Sequence, residues 1–281
     1  MLRITVVIFF IISLLAACDL NVSKFSQKDV TFFGTGKVSR YQQTENSSLE
    51  LLEPLFFAEI FITDGGTVKN AMIKFPGIND VTEELKYRYS ESDEIGDVMY
   101  LSGFAENYED LEKKYPMGDY AFSFVTSEGE VKNSIVSYKD RTFPVHPIIS
   151  LKQDNNKIAI DEVNPAKELI ISWPKFNEGR ADKNGLLDDP IFVAIDSCNI
   201  EDIIHSGRPF EKKGYLTYRT SQFIVPKDTF EVGQKYSMYV EHAIFTDTHD
   251  NSGMPAFATL ASSTYMDFMT LGITDTDYCK E

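Results

Sequence analysis

From Thr31 onward the apolar residues alternate with polar ones or gather in short β-branched and aromatic runs, with turn residues between them. That pattern predicts an all-β protein. Residues 31–40, 55–63 and 67–75 read as strands, and Asp64-Gly65-Gly66 between the last two offers the positive φ angles of a tight hairpin. Residues 85–89 and 98–102 predict short strands. Residues 108–114, rich in Glu and Lys with Leu111 facing inward, predict the one short helix, which Pro116 ends. Met117-Gly118 then turns the chain into a strand at 119–125, and Ser127-Glu128-Gly129 turns it again into 131–138 as a second hairpin. Residues 141–147 carry Pro144 and Pro147 and lack a clear period, which marks a junction. The expected architecture is two β-sandwich-like domains, 29–143 and 144–281, with the helix in the first.

The second half opens with strands at 148–151 and 158–160 and continues with Leu169-Ile170-Ile171-Ser172-Trp173. That last run resembles strand B of a fibronectin type III domain, with the lone tryptophan, Trp173, pointing into the core. The resemblance makes 191–195 strand C and 222–226 strand E. The stretch Phe230-Glu231-Val232-Gly233-Gln234-Lys235-Tyr236 is similar to that fold's E-to-F corner, where a glycine turn precedes a core tyrosine, here Tyr236. The resemblance covers roughly residues 148–270 and implies an immunoglobulin-like sandwich. It departs from the pattern in a polar loop at 177–190 and in a long insertion between Phe245 and Phe268.

At the other end, Arg3 is followed by an apolar run from Ile4 to Ala17, interrupted only by Thr5 and Ser13. The run is short of the ~20 residues that span a bilayer and has the build of a secretory signal peptide, residues 1–17. Leu15-Ala16-Ala17-Cys18 resembles the lipobox of bacterial lipoproteins. The resemblance implies cleavage before Cys18, lipid on its thiol and a membrane anchor, since two or three acyl chains hold where one binds marginally. Residues 18–28 then form a lipidated, mostly polar tether. The expected address is the bacterial cell envelope, facing the periplasm or the exterior.

Charge narrows the partners. The chain holds 43 acidic and 27 basic residues, a formal balance of -16, and phosphate partners demand clustered Lys and Arg. Nucleic acid is excluded as a partner; an envelope protein or glycan is the expectation. Beyond Cys18 the cysteines are Cys198 and Cys279, which an oxidising compartment would join in one disulfide; two free thiols are the alternative.

Chemistry is sparse. There is no Gly-x-Ser-x-Gly elbow, no His-Glu-x-x-His and no phosphate-cradling Gly-x-x-x-x-Gly-Lys. Two acidic loops stand out, residues 182–189 and 247–253. Closely spaced Asp and Asn around a glycine turn offer calcium several oxygens, so Asp182, Asn184 and Asp188 are the candidate ligands, although neither loop has the bidentate Glu of an EF-hand. No other cofactor is expected. His146, His205, His242 and His249 show no metal-ligand spacing, and His242, between Val240 and Ile244, reads as a hydrogen-bonded core histidine. The reading is a membrane-anchored, non-enzymatic binding or structural module with its working loops at 177–189 and 246–255. The alternative is an envelope carbohydrate hydrolase using an Asp/Glu pair in an interdomain cleft.

Overall fold

The computed structural model describes residues 28–45, 47–77, 81–89, 97–197, 203–211 and 213–273. Among them the first half forms β1 (Val30–Gln43), β2 (Leu49–Leu51), β3 (Leu55–Ile62), β4 (Lys69–Lys74), β5 (Thr82–Glu84), β6 (Lys86–Arg88), β7 (Val98–Phe104), helix α1 (Tyr108–Lys114), β8 (Asp119–Thr126) and β9 (Gly129–Ser137). The second half forms β10 (Ser150–Gln153), β11 (Asn156–Lys157), β12 (Leu169–Ser172), β13 (Pro190–Ser197), β14 (Ile204–His205), β15 (Leu216–Thr217), β16 (Gln222–Val225), β17 (Lys235–Asn251) and β18 (Met254–Met269). The fold is all-β and sandwich-like, with α1 at the predicted residues. Asn107 caps α1 by accepting from the Asp110 amide, acids fill its first turn, lysines its last, and Leu111 is buried.

The strands make one long sheet and two small ones. The long sheet runs β14-β13-β17-β18-β1-β3-β7-β6, with β15 beside β13 and β2 beside β1; the small sheets run β11-β10-β12-β16 and β5-β4-β8-β9. Alternate β18 residues from Met254 to Phe268 enter one continuous core that also holds Phe122 and Phe124 of β8 and Leu169 and Ile171 of β12. Both small sheets therefore cover the same face of the long sheet.

In the second half, β12 lies between β10 and β16 in one sheet and β13 pairs with β17 in the other. That partition is the one the fibronectin-like strand reading implies. Gly233 takes the positive φ of the turn, 66°, and the Tyr236 hydroxyl accepts a 2.9 Å hydrogen bond from the Glu231 amide, closing the tyrosine corner. Trp173 is buried as expected.

Three expectations need correction. Residues 64–66 do not close a hairpin: β3 pairs with β1 and β7, whereas β4 pairs with β5 and β8, so the turn carries the chain from the long sheet to a small one. The second small strand at the start of the second half is β11, Asn156–Lys157, and not 158–160. The stretch between Phe245 and Phe268 is no loop insertion. It is the continuation of β17 and β18, a hairpin of 17- and 16-residue strands that outruns its own sandwich. The overrun pairs in parallel with β1, from Phe33 opposite Ala256 to Gln42 opposite Tyr265, so strands of 29–143 and of 144–281 share one sheet. Close approach there requires glycine: a Cβ on Gly34 would sit 2.8 Å from the Phe257 ring, and one on Gly36 would sit 2.3 Å from the Phe57 ring.

Candidate functional site

Between the two small sheets, residues 143–149 cross the face of the long sheet without forming a strand, so their backbone groups need partners from side chains. The sheet supplies them. Ser262 on β18 donates to the Pro144 carbonyl at 2.6 Å, and His242 on β17 places Nδ1 3.1 Å from the Val145 carbonyl. Gln43 on β1 clamps Ile149, donating to its carbonyl at 2.9 Å and accepting from its amide at 2.7 Å. This polar strip lies inside an otherwise apolar face because the crossing segment demands it.

A cleft of about 310 Å³ opens along this crossing, lined by Ser39, Tyr41, Tyr108, Phe143, the 144–146 segment and Ser262. Its walls are aromatic. The Tyr41 and His146 rings meet at 4.3 Å, tilted by 35°, and Tyr108 meets Phe143 edge-on at 4.8 Å. No Lys, Arg, Asp or Glu lines it, and burial pushes the His146 imidazole pKa down, which favours its neutral form. A second cleft of about 480 Å³ lies between the end of β1 and residues 157–161; its carboxylates, Glu45 and Asp161, are both exposed. Of the two linings, only the second holds an Asp/Glu pair of the kind the hydrolase reading invokes, and both of its carboxylates face solvent.

Among the described residues four buried side-chain polar atoms have no close hydrogen-bond partner, the Tyr108 hydroxyl, Nε2 of His242, the Thr264 hydroxyl and the Trp173 indole nitrogen, and of these residues Tyr108 alone lines the first cleft. The Tyr108 hydroxyl lies at the margin of a hydrogen bond with Ser39, and burial raises its phenol pKa well above the usual range while Ser39 pulls the other way. His242 and Thr264 flank Ser262: His242 is its cross-strand neighbour on β17, and Thr264 is two residues along β18, opposite Tyr41 of β1.

The His242 ring, 3% exposed, lies flat on Phe176 at 4.2 Å, and burial depresses its pKa to about 4. With the unfolded pKa near the ordinary 6.5, the unfolded state binds the proton first on acidification. The stabilisation is therefore complete above about pH 6.5 and drains away as pH falls towards 4, by on the order of 3 kcal/mol. Glu241, on the opposite face beside Ser263, is pushed by burial up to about 7, so its contribution is present below pH 4.5 and is lost as pH rises to 7. The two nearly cancel between pH 4.5 and 6.5. Urea titrations at several pH values should show stability falling with acid in Glu241→Gln relative to wild type and rising with acid in His242→Gln; parallel curves for all three would refute the assignment.

The loops predicted to work together do touch. Thr248 on β17 donates to Asp182 Oδ1 at 2.7 Å, and Asn184 donates its amide N–H groups to the Thr248 carbonyl and hydroxyl. The candidate calcium ligands are thus adjacent but already engaged. Asp182 accepts from the backbone of Asn184, Leu186 and Leu187, while Asp188 accepts from the Asp182 amide and pairs with Arg219 at 2.6 Å. Burial lifts the Asp182 pKa, but these hydrogen bonds outweigh it and the net shift is downward. Arg219 already neutralises Asp188, whereas the side-chain carbonyl oxygen of Asn184 is not used by these bonds. Among the described residues no three His, Cys, Asp or Glu side chains converge as metal ligands. Residues 246–255 are strand and hairpin tip, not a free loop. Cys18, Cys198 and Cys279 lie outside the described residues.

No family model matches the chain, and no curated protein matches it either. Among solved structures it is similar to the FN1–FN3 domains of chicken CNTN1, at 11% identity over 87% of this chain and 65% of that one, with a TM-score of 0.25. It is also similar to the BSP domain of a biofilm-associated protein, at 7% identity over 79% of this chain and 28% of that one, with a TM-score of 0.20. A yeast delta-COP-I mu-homology domain matches at 8% identity over 87% of this chain and 99% of its own, with a TM-score of 0.22. Scores this low do not bear on what the chain does.

Proposed function

We propose that the chain is a cell-envelope lipoprotein, anchored to a membrane by lipid on Cys18, whose folded part is a non-enzymatic binding module for an envelope protein or glycan. The observation that carries this reading is the apolar run ending in Leu15-Ala16-Ala17-Cys18, and the point where residue 28 enters fits it. Asp29 accepts from the Thr67 amide and, more closely, from the Ser127 amide, and Phe33 lies opposite Ala256, so the chain enters beside the 252–253 hairpin tip. From that end β18 runs 16 residues, about 50 Å at the usual strand rise, to Met269. An anchor at Cys18 would leave the acidic loops at 182–189 and 247–253 near the membrane and hold the opposite end away from it. The seam cleft, partway along and free of carboxylates, suits binding better than hydrolysis.

The same proposal includes a Cys198–Cys279 bridge, which an oxidising compartment would form. Ser197 pairs with Tyr236, which pairs with Phe268, so Cys198 follows a residue two strand spacings, about 10 Å, from the strand leading to Cys279. The six residues beyond Ile273 extend by up to about 20 Å. Intact-mass analysis of the protein extracted from its native membrane tests both points: the expected species has lost residues 1–17, carries acyl chains and gains two hydrogens on reduction. An unmodified full-length mass would overturn the anchor, and no gain on reduction would overturn the bridge.

A further inference from the structure

We propose that the free edge of β6, Lys86–Arg88 with Tyr89 beyond it, takes up an extended acidic segment of a partner protein as an added strand. The inference rests on the binding-module half of the proposed function, names a protein as the partner and does not depend on the anchor. Three observations converge. The first is the edge itself. β6 ends the long sheet: it pairs with β7 alone, and among the described residues no strand lies along its other side. A strand so placed leaves a row of main-chain N–H and C=O groups unpaired, the template on which an extended peptide forms a further strand. Lys86, Tyr87, Arg88 and Tyr89 are all exposed, the tyrosines at 58% and 66%, so the edge is open to a partner.

The second is charge. In a chain with a formal balance of -16, neither Lys86 nor Arg88 has a carboxylate partner among the described residues; Arg88 instead lies over the Tyr100 ring, 5.8 Å from its centre. The third is direction. Lys86 and Arg88 lie opposite Tyr100 and Val98 of β7, which pack with Phe32 and Phe257, so both point from the face away from the small sheets. Tyr87 lies opposite Met99, and Tyr89 follows it on the same side. Cations on one face and exposed phenol rings on the other match a strand that carries carboxylates on one side and apolar groups on its other. The same charges choose the occupant. A second copy of β6 would set Lys86 and Arg88 against like charges, which cross-strand pairing disfavours, so the edge rejects itself. An acidic strand gains at each pairing and is attracted from a distance.

The test is fluorescence anisotropy on the full-length chain in a non-ionic detergent, with amide hydrogen exchange followed in parallel. The probes are labelled peptides of alternating Asp and Val, of alternating Lys and Val, and of alternating Asp and Val with all amides N-methylated, together with phosphatidylglycerol added to the detergent. The acidic peptide should bind saturably, weaken as salt rises and slow exchange of the amides at 86–89. The Lys peptide should not bind, and N-methylation, which keeps the charges and removes the strand hydrogen bonds, should abolish binding. Lys86→Glu with Arg88→Glu, both at exposed positions, should weaken the acidic peptide by at least about tenfold with an unchanged melting curve. No binding of the acidic peptide, equal binding of its N-methylated form, or unprotected amides at 86–89 would each overturn the proposal, whether or not the double variant folds. So would an unchanged affinity in the folded double variant, or protection of 86–89 by phosphatidylglycerol and not by the peptide. A bound peptide with an unmodified mass removes only the anchor; an acylated mass with no bound peptide removes only this site.

Discussion

Residues 144–281 expressed alone are expected to give no cooperatively unfolding monomer, even though they contain every strand of the fibronectin-like sandwich. The reason is the overrun of β17 and β18. Without the first half, Met254, Ala256, Ala258 and Leu260 lose the small sheet that covers them, and the outer edge of β18 loses its ten-residue ladder to β1. A long, flat, apolar edge of that kind invites intermolecular pairing. Residues 29–143 should fail for the complementary reason, since β1 would be left as an open edge. Size-exclusion chromatography and thermal unfolding of each segment, and of the two co-expressed, would check this: aggregation apart and a soluble complex together is the expected result. A sharp melt from either segment as a monomer would show that it is an independent domain.

Arg141→Ala should cost about 3–5 kcal/mol, the penalty for leaving a buried charge unpaired. Arg141 and Asp189 are 7% and 3% exposed, and one guanidinium nitrogen reaches both carboxylate oxygens, at 2.9 and 2.7 Å. The pair also satisfies backbone. Asp189 accepts from the amides of Arg180 and Phe245, both at 2.8 Å, and Arg141 donates to the carbonyls of Phe245 and Glu178. Burial is the largest influence on the Asp189 carboxyl and raises its pKa, while these donors pull the other way. Many buried ion pairs can be exchanged for apolar side chains at little cost. This one should not tolerate that, because Arg141→Met with Asp189→Leu would strand the Phe245 amide and carbonyl at the β17 bulge at 245–247. Urea midpoints are the readout; a double variant as stable as wild type would show that the backbone contacts contribute little.

Much of this was legible because local pattern and fold agree. Helix α1 announced itself through its Glu and Lys, Leu111 and the closing Pro116, strand β12 through its apolar run, and β13 and β16 through the fibronectin-like resemblance. The overrun was not legible. β18 is buried on both faces for most of its length, so it reads as an unpatterned run of Ala, Ser and Thr, and the polar second half of β17 mimics a loop. The turn at 64–66 had hairpin chemistry, but sheet membership was decided by partners far along the chain. Lys37 was equally hidden: in the core beneath β1 it is fully buried, held by Glu112 at 2.7 Å beneath the Tyr138 ring. The seam cleft had no sequence signal, because its residues come from four separate stretches and only the path of 143–149 unites them.

The parallel ladder between β1 and β18 also fixes an order of events. Phe33 is made early and Ala256 late, so the first strand waits for almost the entire chain before its partner exists. Such distant pairing makes folding slow, since loop closure must precede any contact that rewards it. Until β18 arrives, the nascent protein holds an unfinished sheet edge that a neighbouring chain could occupy. Arrival of the last strand is therefore the step that locks the fold, and a chain interrupted before that point is left unlocked and open to degradation.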